Sequence, residues 1–399
     1  MSTIRENKQG IKVLIAGTIL QLFVGIIYVW SVFVKPVSEF YSWNVDSVKL
    51  TASYMLCFYV IGILAGGKLQ VKIGSQKVVL IGGLMLSLGM LITSFIPESA
   101  AWLIYVTYGI IGGAGVGACY NANISSAQKW FPKNRGFATG VSVCAFGFST
   151  VIFAPLIEFL INQLGIQTTF ITLSVTFLIV VLALFSFIKL PADTVNTPLN
   201  PAQQPEKKQY ATSEILRTKT FYFITLSLML GTSVFFILNP SFKTLASERG
   251  LETTIGTVLV MITGIANAVG RLTTPLLSDK IGREKAVFII ISITALGSLS
   301  LCVVSGITFI IVVALIAFCY GGYSGVYPVI TADNFGIKNI GSNYGAVMVG
   351  FAISALIFPI IINKIQDYSL KFIVLAVLAA IGAALILILM FSKKKPTEK

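Results

Sequence analysis

Arg271 is where the sequence offers chemistry. It stands in a long apolar stretch, and Thr263, Asn267, Arg271, Thr274 and Ser278 share one face at helical spacing, with Ile262, Ile265, Ala266, Val269, Leu272 and Leu276 opposite. A guanidinium in hydrocarbon costs about 2.5–3.5 kcal/mol on insertion scales, so it belongs beside a water-filled cavity or a partner. Its planar fork of N–H donors suits a carboxylate, giving charge and orientation together, which a lysine would not reproduce. The structural alternatives are pairing with an acid for stability or snorkelling to a membrane surface. No acid stands in the middle of any apolar stretch, and the nearest candidate is Glu158.

Hydroxyl and amide groups recur elsewhere at helical spacing. Tyr320, Tyr323, Tyr327 and Thr331 follow i, i+3, i+7 and i+11, and Gln21, Gly25, Tyr28, Val32 and Lys35 share another face. Phenols supply hydrogen bonds and stacking area around a small planar anion, while core packing or an interfacial aromatic belt explains any single tyrosine equally well. Gly109, Gly113 and Gly117 fit close helix packing. Pro155 and Pro359 fit bends.

The chain contains no histidine, which removes histidine triads, metal sites and proton relays. Cys57, Cys119, Cys144, Cys302 and Cys319 show no CxxC spacing and read as small core residues. With neither a nucleophile–base pair nor a metal cluster, an enzyme is disfavoured. Neither cofactor nor metal is expected.

The elements that position these groups are membrane spans. Of 399 residues, 56% are apolar and 11% charged, against roughly a quarter charged in soluble domains. Stretches long enough to cross about 30 Å of hydrocarbon fall at 11–34, 47–69, 77–96, 100–127, 136–162, 168–190, 219–242, 253–278, 285–305, 307–332, 341–363 and 369–391. The expectation is an all-α membrane protein of twelve transmembrane helices in two pseudo-symmetric six-helix halves, 1–190 and 219–399. Between them 191–218, rich in Pro, Gln, Asn and Lys, reads as a cytoplasmic linker. The first span is read as retained, since no small-residue cleavage site follows it.

The net charge of +14 then becomes a topological signal. Placing both termini and the even-numbered connections on one side gives that side 22 Lys or Arg and 8 acids; the other side has 6 and 7, and Arg271 is left over. That bias puts both termini in the cytoplasm of a plasma or inner membrane. The triple Lys393, Lys394, Lys395 fits a juxtamembrane anchor, and basic groups scattered over separate segments exclude a nucleic-acid surface.

A shift of 208 residues aligns Lys72-Ile73-Gly74 with Lys280-Ile281-Gly282, Lys77 with Lys285, Gly89 with Gly297, Gly113 with Gly321 and Gly117 with Gly325. A shift of 205 sets Gly136 and Gly140 beside Gly341 and Gly345. Two homologous halves in one orientation explain both, and such halves place a substrate cavity between them near the midplane.

The stretch Pro275-Leu-Leu-Ser-Asp279-Lys280-Ile-Gly282-Arg283-Glu284-Lys285 resembles the G-x-L-x-D-R-x-G-R-R signature of the major facilitator superfamily. The matching loop, Gly67-Lys-Leu-Gln-Val71-Lys72-Ile-Gly74, keeps the glycines and the cation but has Val71 where the aspartate belongs. The resemblance implies a cytoplasmic gate motif of Asp279, Lys280, Gly282, Arg283, Gly74 and Lys72. Within the superfamily, Tyr28-Val-Trp30 through Lys35-Pro36, Lys129-Trp130-Phe131-Pro132 with Arg135-Gly136, and Asn267 through Gly270-Arg271 are similar to oxalate/formate antiporters and monocarboxylate transporters.

That family implies alternating access, with the arginine of the eighth span on the substrate carboxylate. Its aromatic-lined site maps onto Tyr28, Tyr120, Tyr323 and Tyr327 in preference to Tyr320, with Asn267 orienting substrate. Oxalate carriers add a lysine in the eleventh span. Here Phe351 keeps an aromatic there and Ser354 stands at the cation's place. One cation suits a monoanion better than a dianion, because unbalanced buried charge is costly. Proton-coupled relatives carry an aspartate four residues before the arginine, where this chain has Asn267, which does not titrate.

The expectation is a carrier of lactate, pyruvate or formate by exchange or symport, functioning as a monomer in the lipid bilayer. An oxalate/dicarboxylate:formate antiporter is the alternative, with a multidrug exporter or a transporter-like nutrient sensor further off.

Overall fold

The structure, a computed structural model, describes residues 2–191, 209–239, 245, 253–362 and 364–392. The side chains of residues 2–7, 46, 253–258 and 260 lie outside that description, as do most of the expected linker and the Lys393–Lys395 triple. Every regular element described is helical.

Eight helices are long and apolar enough to cross a membrane on length and composition. One of them contains two spans, the fifth and sixth, because Arg135–Leu184 turns at Gly165, where φ 76° and ψ 170° leave helical geometry. The fourth span is Tyr105–Gly112, wound as a π-helix, followed by Gly113–Trp130, whose Gly, Asn and Ser content dilutes its hydropathy. Thr253–Ile281 is the eighth, and Arg283–Ser300 is the ninth, with a charged first turn. With these, the helices make the twelve spans of the expected fold.

The first span differs at its far end. The sequence reading ends it at residue 34, yet the helix Trp30–Phe40 runs on through Pro36. The bond that proline cannot donate would go to Val32, four residues back. Val32 and Pro36 both line an open cleft.

Two compact units are present. One comprises Met1–Lys133, Ala145–Tyr210 and Phe335–Ala346; the other comprises Asn134–Cys144, Ala211–Asn334 and Val347–Lys399. The repeat glycines build both in the same way. In the first unit, a Cβ on Gly113 would lie 2.5 Å from Met55 O, and one on Gly117 1.9 Å from Tyr59 O, so the fourth span sits directly on the second. In the second unit, a Cβ on Gly321 would lie 2.0 Å from Asn267 O, and one on Gly325 2.7 Å from Arg271 O, so the tenth span sits on the eighth. Side chains at these positions would push the helix pairs apart.

The second glycine repeat also pairs backbones. Gly136 and Gly140 pack on Pro275 and Leu272 within the second unit, and Gly341 and Gly345 pack on Gly67 and Leu64 within the first. Gly74 and Gly282 precede the third and ninth spans with φ of 83° and 95°, a conformation that favours glycine.

Candidate functional site

Helical periodicity turns the polar stripe of the eighth span inward. Thr263, Arg271, Thr274 and Ser278 are buried and Asn267 is half-buried, while Ile265 and Val269 on the other face are exposed. Arg271 itself is 1% exposed. Its Nε donates to Asn267 Oδ1 at 2.9 Å, one turn earlier, which fixes the plane of the guanidinium. An amide acceptor does this without cancelling the positive charge.

The same unit holds an aromatic group from three spans. Phe235 stacks on Tyr320 with centroids 3.9 Å apart, Phe236 meets Tyr320 edge-on at 5.6 Å, and Phe351 meets Phe236 at 5.0 Å. Ser354 Oγ accepts from Thr232 Oγ1 at 3.0 Å. Tyr323 and Tyr327 are buried deeper: the Tyr323 hydroxyl bonds Thr294 Oγ1 at 2.7 Å, and the Tyr327 hydroxyl bonds Ser227 Oγ at 2.8 Å.

In the first unit, Tyr28 and Tyr120 converge on Phe146, with centroids at 5.4 and 4.9 Å, and Tyr59 closes the group. Gln21 Nε2 donates to Tyr120 O at 3.2 Å. An open cleft of about 390 Å³ in this unit is lined by Lys35, Glu39, Glu158 and Asn162 among others, with Lys35 and Glu39 3.7 Å apart on exposed side chains.

The motif after the eighth span is an ionic cluster. Asp279 accepts from the backbone N–H groups of Gly136 and Phe137 at 3.2 and 3.1 Å, capping the start of the fifth span, where helix-end donors lack partners. Arg283 pairs with Asp279, donates through Nε to Asp333 at 2.9 Å and bonds Ser278 Oγ at 2.6 Å. Arg135 meets the other oxygen of Asp333 at 2.5 Å.

The corresponding place in the first unit, where Val71 replaces the aspartate, is held by neutral groups. Gln70 donates to Ser75 Oγ at 2.6 Å and accepts from Ser125 Oγ at 2.8 Å, and Asn121 Nδ2 donates to Ile63 O and Gly341 O at 2.8 and 2.7 Å. Val71 itself is exposed. Lys72 and Lys280 are exposed as well.

The family model of the Major Facilitator Superfamily matches residues 13–359. The chain belongs to this superfamily. It is 24% identical over 341 residues to the oxalate:formate antiporter of Oxalobacter formigenes, covering 83% of this chain and 78% of that one. It is 26% identical over 365 residues to monocarboxylate transporter 12 of Xenopus laevis, covering 84% and 79%. In structure it is similar to the E. coli fucose:proton symporter FucP, with a TM-score of 0.67 at 15% identity over 92% of this chain and 98% of that one. The protein is therefore a membrane transporter of the superfamily, and the family speaks for transport rather than catalysis.

Within this superfamily member, the residues singled out by sequence fall into separate groups. Arg271, Asn267, Tyr323, Tyr327, Phe351 and Ser354 belong to the second unit, and Tyr28 and Tyr120 to the first. Asp279 and Arg283 are in direct contact, whereas Gly74 and Lys72 belong to the first unit. Sequence reasoning passed over Asp333, the acid shared by two arginines, and Phe146, the hub of the first aromatic group. A lone acid near a span end and one phenylalanine among 28 carry no local mark of their partners.

Proposed function

We propose that the protein carries small organic monocarboxylates such as lactate, pyruvate or formate by alternating access, exchanging one for another. The observation that carries this reading is Arg271, 1% exposed within a span and oriented by Asn267 at 2.9 Å. A carboxylate on the guanidinium nitrogens beyond Nε would neutralise the site and lower the cost of enclosing it. Support also comes from the names of two relatives, an oxalate:formate antiporter and a monocarboxylate transporter.

A monoanion is favoured over oxalate because Ser354, where a second cation would stand, is neutral and hydrogen-bonded to Thr232. Asn267 does not titrate, so exchange fits better than proton symport. The Lys and Arg bias supports a topology with both termini in the cytoplasm. The cluster around Asp279 then serves as a cytoplasmic gate, closed by Asp279 and Arg283 together with Arg135 and Asp333.

Counterflow in proteoliposomes tests the reading. Vesicles loaded with lactate should take up labelled pyruvate or formate, and external oxalate should compete far less well. Oxalate competing as strongly as lactate would reassign the substrate to dicarboxylates.

A further inference from the structure

We propose that Gln209 and Tyr210, at the end of the expected linker, form a releasable latch on the start of the eleventh span, in place of the ionic cap that Val71 denies the first unit. The latch rests on the alternating-access part of the proposed function and not on the choice of substrate.

Two span starts are exchanged between the compact units. Asn134–Cys144 opens the fifth span and belongs to the second unit, while the chain from Ala145 belongs to the first. Phe335–Ala346 opens the eleventh span and belongs to the first unit, while the chain from Val347 belongs to the second. The shift of 205 residues relates them, Gly136 to Gly341 and Gly140 to Gly345. Alternation between two open states requires each start to be held in one state and let go in the other. In the second unit the hold is ionic, since Asp279 accepts from the Gly136 and Phe137 N–H groups and pairs with Arg283. In the first unit the backbone packing is matched, with a Cβ on Gly345 falling 2.9 Å from Leu64 Cα, but Val71 is exposed and has no acceptor to offer.

Gln209 and Tyr210 supply the hold instead. The Tyr210 N–H donates to Phe335 O at 3.0 Å, and Tyr210 O accepts from Asn339 Nδ2 at 3.0 Å and from Asn343 Nδ2 at 3.1 Å. The Lys338 N–H, just before the span, donates to Gln209 Oε1 at 3.0 Å. That oxygen lies where a Cβ on Gly336 would stand, and Gly336 has φ 85°, so a residue with a side chain is excluded twice. The Tyr210 ring meets Phe335 edge-on at 5.9 Å. All of these bonds are between neutral groups and individually modest, so the set can hold the span start and still release it. Tyr210 is also the last residue of the first unit before the chain passes into the second at Ala211, which puts the latch where the chain itself crosses.

A reversible tie tests this. Gln209→Cys with Lys338→Cys places thiols at two exposed positions, and ethanediyl bismethanethiosulfonate joins them in place of the Gln209–Lys338 bond. In proteoliposomes the tied protein should lose most of its lactate–pyruvate counterflow and regain it on reduction. Each single variant treated alike should be unaffected, which controls for the five native cysteines. Counterflow by the tied protein at the reduced rate overturns the proposal. Hydrogen exchange reads the latch without substrate: the amides of Gly136 and Phe137, held by Asp279 and untouched by the tie, should exchange several-fold more slowly in the tied protein. Local stiffening would slow only residues 335–346, and unchanged exchange at Gly136 and Phe137 overturns the proposal. Slowing there in a protein that carries no monocarboxylate would reject the substrate assignment and support the latch.

Discussion

Arg271 donates its Nε to Asn267 Oδ1 at 2.9 Å across one turn of a membrane span. The pair is a cation oriented by a neutral amide, which adds no negative charge of its own. A carboxylate at 267 would occupy the guanidinium and turn a fixed positive site into a titratable one.

Asn267→Asp should therefore weaken monocarboxylate binding at neutral pH by about tenfold or more, equivalent to about 1.4 kcal/mol. The sign with pH follows from charge: the introduced carboxylate competes for Arg271 when ionised and releases it when protonated, so transport by the variant should rise as pH falls. Initial rates at two pH values check this. A variant matching the wild type at both would separate Asn267 from substrate binding.

The wild type should behave differently. With no histidine in the chain and an amide at 267, exchange of lactate for pyruvate should change little between about pH 6 and 8, the window in which histidine titrates. A steep rise on acidification, measured in proteoliposomes without a proton gradient, would point to a titrating group near the substrate.

Asp333 carries two arginines, with Arg135 at 2.5 Å and Arg283 at 2.9 Å. All three side chains are largely shielded, at 18%, 12% and 27% exposure for Arg135, Arg283 and Asp333. Asp333→Asn should cost about 1.5–3 kcal/mol, the usual worth of hydrogen bonds to charged groups. Thermal unfolding in detergent should show a lower midpoint than in Asp333-containing protein, and salt should destabilise the wild type more than the variant. An unchanged midpoint would mean the arginines find equal partners elsewhere.

Gly282 and Gly264 separate backbone strain from crowding. Among the described residues, neither has an atom within 4 Å of where a Cβ would stand, but Gly282 has φ 95° and Gly264 lies inside the Thr253–Ile281 helix. Gly282→Ala should destabilise by about 1–2 kcal/mol, while Gly264→Ala should be neutral or stabilising by up to about 1 kcal/mol. Comparing the two melting curves decides it, and equal effects would remove the conformational argument.

The legible parts of this fold were those with a period or a repeat. Thr263, Asn267, Arg271, Thr274 and Ser278 fall on one face because helical geometry spaces them so, and their burial follows. Gly74 and Gly282 match because the same turn occurs in both halves. The π-helix at Tyr105–Gly112 left no trace, since a change in backbone bonding register does not alter which residue types are apolar. The tyrosines show the same limit: spacing put Tyr323 and Tyr327 on one face, but their partners Thr294 and Ser227 lie on other spans. Asp333 was hidden for that reason too, because both of its arginines are distant in sequence.

The most direct test of the account is carboxylate counterflow by Arg271→Gln in proteoliposomes, with reconstitution and folding matched to wild type. Loss of exchange for lactate, pyruvate and formate alike is the predicted result. Exchange at the wild-type rate would contradict the assignment of Arg271 to the substrate carboxylate.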